Sequence, residues 1–125
     1  MENNITLKVQ QPWLGWIKAG YKTTEGRPDI PGDRDYMLNK IIEIYNPLRH
    51  NDKVNVFVNE VIHYPNLFEY IKGEGNSVAH PDLTFDMIEQ IYLNIRSEID
   101  TQVFSPDQLS IRGGINAIRF RLLPN

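Results

Sequence analysis

Gly20-Tyr21-Lys22-Thr23-Thr24-Glu25-Gly26-Arg27 places a lysine, a glutamate and an arginine within six residues. Ahead of it, Gln11-Pro12-Trp13-Leu14-Gly15-Trp16-Ile17-Lys18-Ala19 reads as a short helix, with proline in the first turn, where a missing N–H costs nothing, and Gly20 as the stop. The charged run then begins a strand. Its three charges either face water or line a site. Strand alternation puts Glu25 and Arg27 on one face, where a solvated ion pair contributes only ~0–1 kcal/mol. The same face turned into a cleft would be partly desolvated, and each charge would orient a polar ligand more strongly. Strict alternation sends Lys22 to the opposite face, so a shared site requires Lys22 to lie in the turn after Gly20.

Working outward, Ile5, Leu7 and Val9 alternate with Thr6 and Lys8, a half-buried strand that feeds the helix. Residues 39–46 read as a second strand, and 46–52, with Pro47 and Asn51, as the turn after it. Val54, Val56, Val58, Ile62 and Tyr64 keep even parity across the polar Glu60, which suits a long, bent strand with one face inward. Pro28 to Asp35 carries turn residues and charges and reads as a surface loop. Asn66 stands three residues ahead of Glu69, a capping-box spacing, and Gly73 ends that helix after about two turns. Thr84 caps a helix over 84–97 whose stripe of Phe85, Ile88, Ile91, Tyr92 and Ile95 is core, not a cofactor contact. Ser105-Pro106-Asp107 marks a turn, and Ile118, Phe120 and Leu122 alternate with Arg119 and Arg121 in a terminal strand.

The spacing Gly-x-Lys-x-x-Glu-x-Arg, occupied here by Gly20, Lys22, Glu25 and Arg27, resembles the signature of the ASCH family (activating-signal-cointegrator homology), a branch of the PUA-like β-barrels. The order of the remaining strands and helices is similar to that family's over nearly the whole chain. The resemblance implies an α+β fold, a single domain over 1–125: a small mixed β-barrel of about five or six strands with about three flanking helices. It also implies that Lys22 lies in the turn and lines one cavity with the acidic or hydroxyl position that follows.

Composition narrows the function classes. At 125 residues the chain has the size of one domain, and 41% hydrophobic with 23% charged residues is ordinary for a globular protein. A formal charge of −3 argues against a broad basic surface coating nucleic acid, so any such contact is local. Lys18, Lys22 and Arg27 lie early and Arg112, Arg119 and Arg121 late; a barrel closing its first and last strands would gather them, whereas plain alternation gives Arg119 and Arg121 to solvent. With no cysteine there are no disulfides or thiolate sites, and His50, His63 and His80 lack metal-ligand spacing, so neither metal nor cofactor is expected. Gly73-Glu74-Gly75 has no third glycine and follows a helix, so it reads as a helix-ending turn and not a phosphate cradle. No secretory leader pattern or membrane-length apolar window is present, and the expectation is an intracellular protein, cytoplasmic or nuclear, with no membrane partner.

Four functional readings follow. The first, implied by the PUA-like resemblance, is a binding module for single-stranded RNA or a modified nucleoside, its cleft formed around Lys22, Glu25 and Arg27. Trp13 would be its stacking wall, unless Trp13 and Trp16 are simply core; Tyr45 and Asn46 would read a base edge, unless they pack the strand end; Arg112 would add a cation. The second comes from family members that are similar and act as amidohydrolases on N4-acetylcytidine through a lysine, a threonine three residues on and a distant glutamate. Those positions fall on Lys22, Glu25 and Glu74, so the hydroxyl is replaced by a carboxylate, and Thr24 points to the other face unless the strand is bulged. Glu25 would then activate water while Lys22 or Arg27 stabilises the oxyanion. The third is a ribonuclease using the same charges, and the fourth a protein-interaction adaptor, for which an exposed apolar patch would speak.

Overall fold

The computed structural model describes residues 5–28, 36–96 and 110–124. These form β1 (Ile5–Lys8), α1 (Trp13–Lys18), β2 (Thr24–Pro28), β3 (Ile41–Asn46), β4 (Arg49–Asn66), α2 (Leu67–Glu74), a 3-10 turn (Gly75–Val78), α3 (Phe85–Arg96) and β5 (Ser110–Leu122). One five-stranded sheet runs β1-β3-β4-β5-β2, with β1 parallel to β3 and the other pairs antiparallel. The α+β class and the number of elements agree with expectation; closure of the barrel does not. The edge strands β1 and β2 are only four and five residues long and share no backbone ladder. A side chain ties them instead: Arg27 Nη2 donates to the Lys8 carbonyl at 2.6 Å. Short edges with a charged side chain across them also discourage pairing with another chain.

The long strand β4 does not keep one parity. Its register against β5 shifts between Val58 and Glu60, and the bulge exchanges the faces. Before it Val54, Val56 and Val58 pack with Ile42, Ile44, Ile118, Phe120 and the α1 residues Leu14 and Ile17; after it Val61 stays with this core. Ile62 and Tyr64, which share even numbering with Val58, face a second core of Leu67, Tyr70, Ile71, Ile88, Ile115 and Ala117 under α2 and α3. From Ile115 to Phe120 β5 alternates between the two cores, so its centre is buried on both sides. A buried aliphatic side chain of this size stabilises by roughly 1.5–3 kcal/mol, so these strands anchor the fold.

Local signals decide most element ends. Asn66 Oδ1 accepts from Glu69 N at 2.8 Å and Thr84 Oγ1 from Met87 N at 3.3 Å, as the capping patterns require. Gly20 ends α1 with φ +84°, and Gly75, not Gly73, ends α2 with φ +67°. Gly73 lies inside the helix, and it is glycine that fits there, because the Tyr64 hydroxyl lies 2.5 Å from where a Cβ would be. The turn expected over 46–52 shrinks to Pro47 and Leu48, held by Asn46 Oδ1 accepting from Leu48 N at 2.9 Å, and β5 starts at Ser110, well ahead of the alternating segment. The Ser105-Pro106-Asp107 turn and the loop after Pro28 lie outside the described residues.

A polar cleft at the end of helix α2

Register builds the site. Thr24 on β2 pairs with Arg119 on β5, which pairs with Glu60 on β4, so the three side chains stand in one row across the sheet. Arg119 follows Ala117 on the face covered by α2, at the point where that helix ends and stops excluding water. Glu74, the last residue of α2, drops onto the row. Arg119 clasps it bidentately, Nε to Oε1 at 2.8 Å and Nη2 to Oε2 at 2.7 Å, while Nη1 holds Glu60 at 2.9 Å. Thr24 Oγ1 donates to Glu74 Oε1 at 3.2 Å and the Tyr64 hydroxyl to Oε2 at 2.5 Å. Ser77, in the 3-10 turn, donates to the Glu74 carbonyl at 2.7 Å and lies 3.4 Å from Thr24 Oγ1. Thr23, Thr24, Gly73, Glu74, Ser77, Arg119 and Phe120 enclose a cleft of about 200 Å3.

The hydrogen-bond directions give the cleft its chemistry. Two carboxylate oxygens offer about four lone-pair directions, and on Glu74 all four are taken, by Arg119 twice, Thr24 and Tyr64. Thr24 and Ser77 have committed their hydrogens to Glu74, so the cleft receives their lone pairs, an acceptor surface. Two carboxylates surround one guanidinium, which leaves the row with net negative charge and makes it a poor host for phosphate. Burial pushes the Glu74 carboxyl up, but the Arg119 and Tyr64 hydrogen bonds outweigh it and hold the group below its ordinary value.

Lys22, Glu25 and Arg27 form a separate cluster behind the cleft. Lys22 lies in the turn ahead of β2, its side chain 1% exposed, and its three donors reach Thr24 O at 2.6 Å, Val78 O at 2.7 Å and Glu25 Oε1 at 3.2 Å. Glu25 Oε2 accepts from Arg27 Nε at 3.0 Å, and with Glu25 13% and Arg27 33% exposed the pair is less solvated than alternation alone suggests. The Trp13 ring centroid lies 5.2 Å from Lys22 Nζ. Burial pushes the Lys22 amine below its ordinary value more strongly than Glu25 raises it. Burial likewise pushes Glu25 up, and the fields of Lys22 and Arg27 overcome it, so its carboxyl is held down. Two glutamates with depressed pKa contribute stability that is complete above the unfolded value of 4.5 and is lost as pH falls through their lower folded values. Urea midpoints are therefore expected to hold from neutrality to about pH 5 and then fall steeply; a midpoint unchanged at pH 3 would contradict the paired geometry.

No protein-family model matches the sequence and no curated protein is significantly similar to it. Solved structures do match. The crystal structure of hypothetical protein PH0355 corresponds over 97% of this chain and all of its own, with a TM-score of 0.70 at 21% identity. The solution structure of PF0455 from Pyrococcus furiosus corresponds over 98% of this chain and all of its own, with a TM-score of 0.62 at 21% identity. The crystal structure of ASCH from Zymomonas mobilis corresponds over 93% of this chain and 65% of its own, with a TM-score of 0.59 at 16% identity. The chain has the ASCH fold.

On this ASCH scaffold the residues singled out by sequence separate into three places. Glu74 is in the cleft, and Lys22, Glu25 and Arg27 lie behind it, joined to it through the Thr24 backbone. Trp13 packs against both cores and edge-on to Trp16 at 5.2 Å, so it is not a cleft wall. Tyr45 and Asn46 serve the β3–β4 hairpin, Tyr45 against His50 at 5.3 Å and Asn46 through Leu48 N. The Arg112 side chain lies outside the described residues. Sequence reasoning missed Tyr64, Ser77, Arg119 and the correct face of Thr24. For Thr24 the signal was present, since a lysine still in the turn frees the strand parity to start at Thr24 and not before.

Proposed function

We propose that the protein binds single-stranded RNA or a nucleoside by taking one amino-bearing nucleobase into the cleft at Thr24, Glu74 and Ser77. The observation that carries this is the acceptor floor: hydroxyls whose hydrogens are already spent on Glu74 receive N–H donors and offer nothing to a phosphate. The volume agrees, since about 200 Å3 is below the ~300–1,000 Å3 of pockets for drug-sized ligands and suits one base. Unpaired RNA presents such edges, and a net negative protein can bind it through one local cleft. Cytidine is expected to bind roughly 5- to 100-fold more tightly than uridine, whose carbonyl would face the acceptors unpaired. Backbone NMR titration following Thr24, Glu74 and Ser77 reads this directly, and equal affinity, or no shifts with either, would overturn it.

One observation favours hydrolysis as a second reading. Thr24 Oγ1 lies 3.2 Å from a carboxylate able to take its proton, so an N-acylated amino base in the cleft would meet a hydroxyl nucleophile. The acyl group would pass to Thr24, the amine would leave with a proton, and water would cleave the ester. A Glu74 held anionic by Arg119 is a weak base, which ranks this below binding. Loss of the acetyl signal of N4-acetylcytidine with the wild type, but not with Thr24→Ala, would establish it.

A further inference from the structure

Resting on the nucleobase reading of the cleft, we infer that Tyr21 and His80 form a second subsite on which the base of the adjoining nucleotide stacks. From Tyr21 to Thr24 the chain alternates exposed, buried, exposed, buried, so Tyr21 and the cleft residue Thr23 look out together while Lys22 and Thr24 turn in. Tyr21 is 47% exposed, unlike the buried Tyr70, and its ring sits 4.5 Å from the His80 ring, which in turn meets Trp16 at 5.5 Å. The three rings form a chain of edge-to-face and tilted contacts running from the protein outward, with Tyr21 at its open end.

The Tyr21 backbone and the half-buried His80 ring are held in place. Tyr21 N donates to Trp16 O at 2.9 Å, across the turn that Gly20 makes at φ +84°. His80 Nδ1 accepts from Asp82 N at 3.1 Å, which fixes the imidazole plane. A platform ordered before binding loses little side-chain freedom when a base lands on it. Its distance from the cleft is also fixed, because Thr23 N donates to Ser77 O at 2.8 Å and so joins the segment bearing Tyr21 to the segment bearing His80 at the cleft wall. Two residues of chain separate Tyr21 from Thr23 and span at most about 7 Å, a distance that adjoining nucleotides of a single strand reach when their bases are splayed apart. A strand with one base in the cleft therefore brings its neighbour over Tyr21. Every base has a stackable face, so this subsite adds affinity without reading sequence, while the cleft selects the amino group.

The test compares cytidine, a two-base RNA that begins with cytidine, and the same RNA with an abasic second position, by calorimetric titration. The wild type is expected to bind the two-base RNA roughly 5- to 100-fold more tightly than the abasic one. Tyr21→Ala should bring that ratio to about one, and Tyr21→Phe, which keeps the ring, should retain it; thermal unfolding of each variant confirms the fold. Equal binding of the two RNAs by the wild type, or a ratio unchanged in Tyr21→Ala, overturns the subsite while cytidine binding leaves the cleft reading standing. Absence of binding by all three ligands removes both.

Discussion

Lys22→Met is expected to lower the free energy of unfolding by about 3–5 kcal/mol, the range for removing one partner of a buried ion pair. Methionine keeps the unbranched stem of lysine and stops one atom short of the ammonium position, so the loss comes mainly from hydrogen bonding and charge. The Thr24 and Val78 carbonyls lose their shared donor, each at a cost of about 1–3 kcal/mol when buried, and Glu25 keeps only Arg27. Against this, the buried ammonium is itself unfavourable, as its depressed pKa states, and its removal returns part of the loss. The carbonyls decide the sign because no other side chain bonds them among the described residues. In a double-mutant cycle, Lys22→Met with Glu25→Gln should cost less than the sum of the single changes, since the second removes the charge that the first leaves partly unpaired. Urea unfolding within about 1 kcal/mol of the wild type for Lys22→Met would show that the cluster is dispensable to the fold and would return Lys22 to consideration as a ligand-facing group.

Glu74→Gln should abolish ligand binding, by at least ~50-fold, and cost about 2–3 kcal/mol of stability. The amide has the shape of the carboxylate but accepts on one side only, so either Arg119 Nη2 and Tyr64 or Arg119 Nε and Thr24 would meet a donor. The stability cost falls short of that for Lys22 because Arg119 is 37% exposed, and water takes over part of its solvation when the pair breaks. The two effects are of similar size, since a ~50-fold loss corresponds to about 2.3 kcal/mol. Where the amide nitrogen faces Thr24, the threonine loses its acceptor, its hydroxyl hydrogen turns into the cleft and the acceptor floor becomes a mixed one. Calorimetric titration with cytidine beside urea unfolding separates the two consequences. Full affinity with lowered stability would mean that Glu74 supports the fold alone and that the base is held elsewhere.

Much of the fold was legible because its signals are local. Capping at Asn66 and Thr84, the stop at Gly20 and the Phe85, Ile88 and Tyr92 part of the α3 stripe each depend on residues within one or two turns of one another, and each is found where the pattern puts it, while the Ile95 side chain lies outside the described residues. The β4 parity was misread across Glu60, because a bulge is a two-strand property: the extra residue is defined only against β5. The same limit applies to the site. The triplet at Lys22, Glu25 and Arg27 is conspicuous in sequence, yet packing beneath Trp13 makes it a buried cluster, while Arg119 resembled an ordinary solvent-facing strand residue until α2 ended above it.

By itself the sequence determined most of the helices and strands, because propensity, capping and alternation act over a few residues. The α+β class and the lysine held in the turn before β2 were implied by the resemblance to ASCH domains. Tertiary structure alone decided that the sheet stays open with Arg27 tying its edges, and that Thr24, Glu74 and Arg119 meet. Those contacts join residues up to 95 positions apart in the row from Thr24 to Arg119. Their proximity depends on strand register and on where a helix stops, and no local pattern encodes either.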